Sequence, residues 1–503
     1  MEVLAFVLYF VAMLSIGAYF FVNSKNSNGE KEYFLGGRAM GPWVTAMSAQ
    51  ASDMSAWLLM GLPGSIFAFG LGQAWIGIGL AIGTALNWIL VAKRLRKFSK
   101  AANDAITMPQ YLTNRFAAKG LALKIICAVV FLVSFTIYVA SAFSAGAKVF
   151  TQLFPALDRT VAMIIFATII LVYTFLGGYK AVCWTDFFQG ILMLITLMAV
   201  PIMLVLAGNT DAGLLSQEVV GPDGTSYNFI ASFFSAPPAE IISGLAWGLG
   251  YFGMPHILVR FMSIEKPSMV KKSATVAIIW VVISLAAAVF MAYYGRMLLM
   301  DGESFATALL SAGEQELIFV RLTRYLFPTF IAGILLAAII AASMSTADSQ
   351  LLVASSSFTS DIYKPIFRKG ASEKELLWVG RLVVALVSVI AFFIANGGEG
   401  AAQIMNLVSN AWALFGAAFG PVIILSLFWK RFTYKGAVAG IVVGAVVDIV
   451  WLTFLTASTG IYEIVPGFIA GLLASVIVTL IDKKPSDEVE AIYARATDNS
   501  IDD

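Results

Sequence analysis

Ser48-Ala49-Gln50-Ala51-Ser52-Asp53-Met54-Ser55-Ala56-Trp57 sits inside an otherwise apolar run that extends from residue 42 to residue 70 and continues through Gly61-Leu62-Pro63-Gly64. A carboxylate near the middle of such a run costs about 2.5–3.5 kcal/mol when the run enters lipid. Backbone groups freed by the interruption need partners, and lipid supplies none. The run reads as a broken helix that faces protein or a cavity. Its unwound carbonyls, hydroxyls and carboxylate are hard oxygen ligands, the kind sodium takes. The competing reading is a single satisfied hydrogen bond between helices.

The surrounding chain is of the same kind. Of 503 residues, 60% are hydrophobic and 12% charged, against roughly 25% charged in soluble domains. Thirteen runs are long enough to span a bilayer as helices: 3–22, 42–70, 73–95, 121–147, 160–177, 181–207, 229–255, 273–299, 322–358, 376–396, 401–429, 435–457 and 464–482. They are continuously apolar, so they do not show the alternation of a membrane barrel. Lys and Arg collect in alternate loops: Lys25, Lys31 and Arg38, then Lys93 to Lys100, Lys180, Arg260 with Lys266 to Lys272, Lys364 to Lys374, Lys430 to Lys435, and Lys483 with Lys484. The intervening loops hold Asp211, Glu218, Asp223, Asp301, Glu303, Glu314 and Glu316. The positive-inside rule places the N-terminus outside and the C-terminus in the cytoplasm. The charged tail after Pro485 reads as frayed.

Two further spans are unusual. Trp247-Gly248-Leu249-Gly250-Tyr251-Phe252-Gly253-Met254-Pro255 packs three glycines and a proline into nine residues, which works against continuous helix or serves glycine-mediated packing. Its aromatics suit a small apolar ligand. In the ninth span, Ala342, Ser345 and Ser349 share a face by helical spacing, with Thr346 and Asp348 beside them. Two broken helices in one chain point to a transporter whose site lies between two repeats. Asp186, at the start of the sixth span, reads as an interfacial carboxylate at a helix N-terminus. The single histidine excludes multi-histidine metal chemistry, and the two cysteines carry no metal or disulfide spacing. No HExxH, GxSxG or Walker A motif and no attached soluble domain is present, so enzyme and sensor readings lose to a secondary transporter. No basic cluster interleaved with aromatics points to nucleic acid.

Tyr33-Phe-Leu-Gly-Gly-Arg38, Ser52-Asp53-Met54-Ser55, Trp57 to Gly64, Phe135-Thr-Ile-Tyr138, Trp184-Thr-Asp186, Trp247 to Gly253, Pro255-His-Ile-Leu258, Ala341-Ala342, Met344-Ser345-Thr346 and Phe415 to Pro421 resemble the sodium/solute symporter family, most closely its sodium/proline branch. The resemblance runs from about Glu32 to about Lys484. It implies an all-α membrane protein of about thirteen helices with a leucine-transporter-type core of two inverted five-helix repeats. The divisions expected are 1–41 (an extra helix and cytoplasmic loop), 42–207 and 208–429 (the repeats), 430–482 (peripheral helices) and 483–503 (cytoplasmic tail). It implies sodium-coupled uptake of L-proline across the cell membrane, the alternative being another small neutral amino acid or a small carboxylate. The sodium ligands implied are backbone oxygens of Ala51, Met54 and Ala342 and the hydroxyls of Ser345 and Thr346, with Asp53 essential for sodium dependence. The substrate residues implied are Ser55, Ala56, Trp57, Tyr138, Trp247, Tyr251 and Pro255, and Arg38 and Asp186 are implied in coupling or gating. Three positions depart from the branch: Ala56 stands for Gly, Met254 for Gln, and Asp348 for an uncharged residue. With Asp186, Thr346 and Ser349, Asp348 can build a second cation site.

Overall fold

The computed structural model describes residues 1–23, 30–176, 178–216, 218–220, 224, 226–397 and 403–498. Lys25 and Asp223, used above for orientation, lie outside the described residues. The long helices are α1 (Glu2–Asn23), α2 (Pro42–Met54), α3 (Gly61–Phe69), α4 (Leu71–Ala101), α5 (Ala122–Leu153), α6 (Arg159–Leu176), α7 (Tyr179–Ala207), α8 (Pro238–Ala246), α9 (Pro255–Ser263), α10 (Val270–Met297), α11 (Thr329–Phe358), α12 (Glu373–Asn396), α13 (Gln403–Phe428), α14 (Tyr434–Phe454) and α15 (Ile464–Ile481). Two short antiparallel hairpins, Glu218–Val220 with Ser226–Asn228 and Leu299–Met300 with Glu303–Ser304, lie in the acidic loops. Among the described residues, ten helices are long and apolar enough to cross a membrane and one bent pair makes an eleventh crossing. The shorter apolar helices Ala56–Phe69 and Arg159–Phe175 stand where two further spans are expected.

Both interruptions legible in the sequence are real breaks. Pro42 opens α2 at a position where its missing N–H costs nothing. The helix stops at Ser55, whose φ of 47° and ψ of −175° leave the helical region. Such a conformation in a residue with a side chain stores of order 1–3 kcal/mol. Part of that is offset because the Ser55 hydroxyl accepts the N–H of Trp57 at 3.1 Å. The second break differs from the expectation. The crossing is not 229–255, because 231–235 forms a separate short helix and the span is α8, a tight 3₁₀ stretch Trp247–Phe252, and α9. The two halves meet at 44°. Phe229 to Phe234 is apolar enough to have looked like membrane, and that displaced the window. Pro255 therefore starts the second half of the span instead of ending it.

Close backbone approach holds this bent pair. A Cβ at Gly83 on α4 would overlap the backbone of Gly248, so only glycine fits there. Next to it, α4 widens into a π-helical turn at Asn87–Ala92. That turn aims Asn87 Nδ2 at the Tyr251 carbonyl, 3.1 Å away, which gives a partner to a carbonyl in the 3₁₀ stretch. Helices α11 and α13 are buried over 83% of their best apolar windows, whereas α12, α14 and α15 are buried over 33%. The core is thus α11 and α13 with the two broken helices and α5, and the last helices are peripheral.

The tail is ordered in part, contrary to its expected fraying. Residues Asp487–Thr497 form a helix whose Val489, Ile492 and Ala496 are buried. These three lie on one helical stripe, and Tyr493 packs its ring edge-on against Phe98 with centroids 5.3 Å apart.

Candidate functional site

The end of α2 and the middle of α11 meet at one hydroxyl. Ser345 Oγ lies 2.9 Å from the Ala51 carbonyl and 3.1 Å from the Ala342 carbonyl on its own helix. The neighbouring Thr346 hydroxyl is buried with no hydrogen-bond partner. Met54 is buried one turn along α2. Among the described residues no three His, Cys, Asp or Glu converge on one point. The carbonyls of Ala51 and Ala342 and the hydroxyls of Ser345 and Thr346 are hard oxygen groups, of the kind that suits a hard monovalent ion. Asp53 does not join that set directly. Its Oδ2 accepts the Tyr251 hydroxyl at 2.7 Å, and its carbonyl lies 3.3 Å from the Tyr138 hydroxyl. The carboxylate ties the first break to the second.

Asp53, Met54, Trp57, Tyr138, Trp247 and Tyr251 line one buried cavity together with Leu80, Val408 and Trp412. It holds ≈ 10 Å³, about room for one water. Ser55, Ala56 and Pro255 are buried within the breaks but do not line it. An aromatic stack closes it on one side. Trp57 and Trp247 lie with centroids 5.3 Å apart, Trp247 and Tyr462 5.2 Å apart, and Trp412 stands edge-on to Tyr251 at 5.0 Å. Trp412 Nε1 also donates to the Trp247 carbonyl at 2.8 Å. Trp247 and Tyr462 line a second, larger cavity of ≈ 700 Å³ with Gln73, Glu240, Ser409 and Glu463. Trp247 is the residue common to the two linings.

Asp186 does not stand at its helix's N-terminus, because α7 begins at Tyr179, about two turns earlier. It is fully buried on α7 and pairs with Arg260 of α9 at 3.1 Å, both side chains inaccessible. Arg260 also reaches the hydroxyls of Ser48 and Ser349 and the His256 carbonyl, and Ser48 donates to Asp186 Oδ2 at 2.7 Å. Asp348 meets Ser349 at 3.3 Å. A guanidinium thus stands among the residues that the sequence offered for a second cation. Sequence reasoning counted Arg260 as a loop charge, and its one signal is a position in an uninterrupted apolar helix, Pro255-His-Ile-Leu-Val-Arg260-Phe-Met. Trp412 and Tyr462 were also missed, since aromatics in apolar runs carry no signal of their own. Glu316, read as a loop acid, is buried and accepts the N–H groups of Ile404 and Met405 at the start of α13, where a carboxylate complements the helix dipole.

Arg38 stands apart, at the end of the molecule that carries the basic loops. It is buried and anchored on four acceptors: Asp104 Oδ1 at 2.8 Å, the Ser99 hydroxyl at 3.0 Å, the Ala105 carbonyl at 2.7 Å and the Met262 carbonyl of α9. Partial burial pushes the Asp104 carboxyl up, but Lys31 and Arg38 outweigh that and hold it below the ordinary carboxylate range.

The profile of the sodium:solute symporter family matches residues 33–444. The sodium/proline symporter of Escherichia coli is 42% identical over 98% of this chain and 95% of its own length. The sodium/proline symporter of Haemophilus influenzae is 41% identical over 98% and 97%, and the osmoregulated proline transporter OpuE of Bacillus subtilis 41% over 95% and 94%. Among solved structures, a sodium-coupled sialic acid symporter in a substrate-bound, outward-open state superposes with a TM-score of 0.73 at 21% identity, over 96% of this chain and 98% of that one. A nucleobase-cation-symport-1 family transporter in a closed conformation gives 0.56 at 15% identity, over 92% and 98%. The fold is the expected leucine-transporter type, with its two inverted five-helix repeats. These matches cover the broken helices, the hydroxyl-bearing α11 and the peripheral pair alike: the chain is a multi-pass membrane protein and belongs to the sodium:solute symporter family.

Proposed function

We propose that the chain carries L-proline into the cell with sodium by alternating access, its N-terminus outside and its C-terminus in the cytoplasm. The carrying observation is the Ser345 hydroxyl set between the Ala51 and Ala342 carbonyls, directly beside an aromatic-walled cavity on the same break. The names of the full-length relatives support proline as the solute, and the basic loops support the orientation.

Sodium takes the carbonyls of Ala51, Met54 and Ala342 and the hydroxyls of Ser345 and Thr346. Ser345 then turns its proton away and offers a lone pair, so the ion replaces the hydrogen bond that now joins α2 to α11. Asp53 organises the site through Tyr251 and does not ligate the ion. The ordered break presents the N–H groups of Ser55 and Ala56 to the carboxylate of the zwitterion, while Trp57, whose own N–H is capped by the Ser55 hydroxyl, encloses the ring with Tyr138, Trp247 and Tyr251, and Pro255 fixes the second break. Proline does not fit a space of about one water, so its entry requires the Trp57–Trp247 stack to part toward the larger cavity. Sodium and proline tighten each other by the same factor. Arg38 holds the opposite end shut during loading. Arg260 acts as a resident cation beside Asp186, and on this reading one sodium accompanies each proline.

Uptake of labelled proline into proteoliposomes, with and without an inward sodium gradient and against a panel of unlabelled amino acids, tests this. Sodium-dependent uptake competed best by proline is the expected result. Equal uptake in potassium refutes sodium coupling. Stronger competition by a smaller amino acid moves the substrate to the alternative, for which the Ala56 methyl is the structural reason.

A further inference from the structure

We infer that the basic end of the molecule holds a binding site for a phosphate-type anion. A cavity of ≈ 970 Å³ there is lined by Lys31, Arg38, Arg96, Lys100, Lys119 and Arg495. Among the described residues, only Asp104 and Glu488 oppose these six cations within the cavity wall. Asp104 is already engaged by both Lys31 and Arg38. Among the described residues, Lys100 and Lys119 have no carboxylate partner.

Arg96 points most directly to a ligand. It is only 4% exposed. Its Nε donates to the Ile264 carbonyl at 2.6 Å and its Nη2 to the Glu265 carbonyl at 2.9 Å, while its Nη1 is buried with no acceptor. Buried N–H groups are nearly always paired, and the unused donor belongs to a guanidinium that forms part of the cavity wall. A phosphate offers several charged acceptor oxygens, so it can take the two unpartnered ammonium groups at once, with the guanidinium charges of Arg38, Arg96 and Arg495 in the same wall. The wall includes Arg495 of the Asp487–Thr497 helix, and that helix is tied to α4 through the Ala101 carbonyl. A bound phosphate therefore bridges the tail helix and the loop carrying Arg38. Phosphate chemistry of this kind comes either from an anionic lipid headgroup or from a soluble phosphate compound.

The test uses the full chain, purified in phospholipid-free detergent, with pyrophosphate as the probe in titration calorimetry. Saturable binding that weakens as salt rises is expected, about tenfold weaker in a Lys100→Gln/Lys119→Gln double variant and in Arg96→Gln. Arg96 also holds two carbonyls, so Arg96→Gln can misfold; the lysine pair makes no such contact and keeps the test decisive. Repeating the titration in nanodiscs separates the sources. If phosphatidylglycerol abolishes pyrophosphate binding and phosphatidylcholine does not, the headgroup is the occupant. If binding persists in both, the occupant is a soluble phosphate compound. Absence of saturable binding, or equal binding by the wild type and the lysine variant, overturns the site. Neither readout depends on which solute is transported.

Discussion

Ser345, Asp53 and Arg260 carry their charge or hydroxyl into a bundle that is otherwise apolar, and each is held by a different logic. Ser345→Ala deletes one of the proposed ion ligands and leaves the Ala51 and Ala342 carbonyls in place; it is expected to raise the sodium concentration for half-maximal uptake about tenfold, and an unchanged sodium response removes Ser345 from the ligand set. Asp53→Ala is expected to abolish sodium-driven uptake in a protein that still inserts, because Tyr251 loses its 2.7 Å acceptor and the two breaks come apart. Arg260→Gln strands the Asp186 carboxylate without its cation, a loss of about 3–5 kcal/mol for a buried pair broken on one side. Thermal unfolding in detergent should show that loss, and adding Asp186→Asn should recover a large part of it. The first two residues were legible because each interrupts an apolar run where nothing but a partner justifies it. Arg260 was not: in a string of letters, a basic residue near a span's end looks like a loop charge, and only the bend at Gly253 to Met254 puts it inside.

Between residues and the whole molecule stand the broken helices, which are hinges with defined chemistry. Ser55 combines a positive φ with a cap on the Trp57 N–H. Ser55→Ala is therefore expected to cost about 0.5–2 kcal/mol as a lost cap, whereas Ser55→Gly relieves strain and loses less. Comparing the two variants' unfolding temperatures separates strain from capping. Trp247 lines both cavities, so Trp247→Ala should open one to the other. The chain's two cysteines, Cys127 and Cys183, are both buried, which leaves a clean background: a Val408→Cys reporter should react with an external, membrane-impermeant thiol reagent at least about tenfold faster when Trp247→Ala is present. Equal rates show that the stack is not the barrier. Glycine and proline density disclosed both breaks. It did not disclose their register, since Phe229 to Phe234 mimics membrane by composition and the actual crossing is set by the backbone contact of Gly83 with Gly248.

As a whole, the molecule carries two unlike constructions, a stack of aromatic rings beside the small cavity and, apart from it, an Arg38 clasp at the end with the basic loops. The clasp is insensitive to pH over the working range. Asp104 titrates below its ordinary value of 3.8, so its bond to Arg38 is fully present above that value and is lost only as pH falls through a still lower one. Asp104→Asn should weaken sodium coupling equally from about pH 5 to 8, and a variant whose defect appears only at one end of that window contradicts the assignment. The approximate number and the order of crossings could be read in advance, because hydropathy and loop charge act over whole segments. The docked tail helix could not, as its buried stripe is only Val489, Ile492 and Ala496 among many charges. The internal pairing of Asp186 with Arg260 has an electrical consequence. A fixed charge that is already neutralised feels no net pull from the membrane voltage, so this pair leaves the voltage to act, on the single-ion reading, on the cargo ion. An inside-negative potential of about 100 mV then adds about 2.3 kcal/mol to each turnover, enough by itself to accumulate a neutral zwitterion about 50-fold, and a cell whose external sodium falls to its internal level would still retain its imported solute.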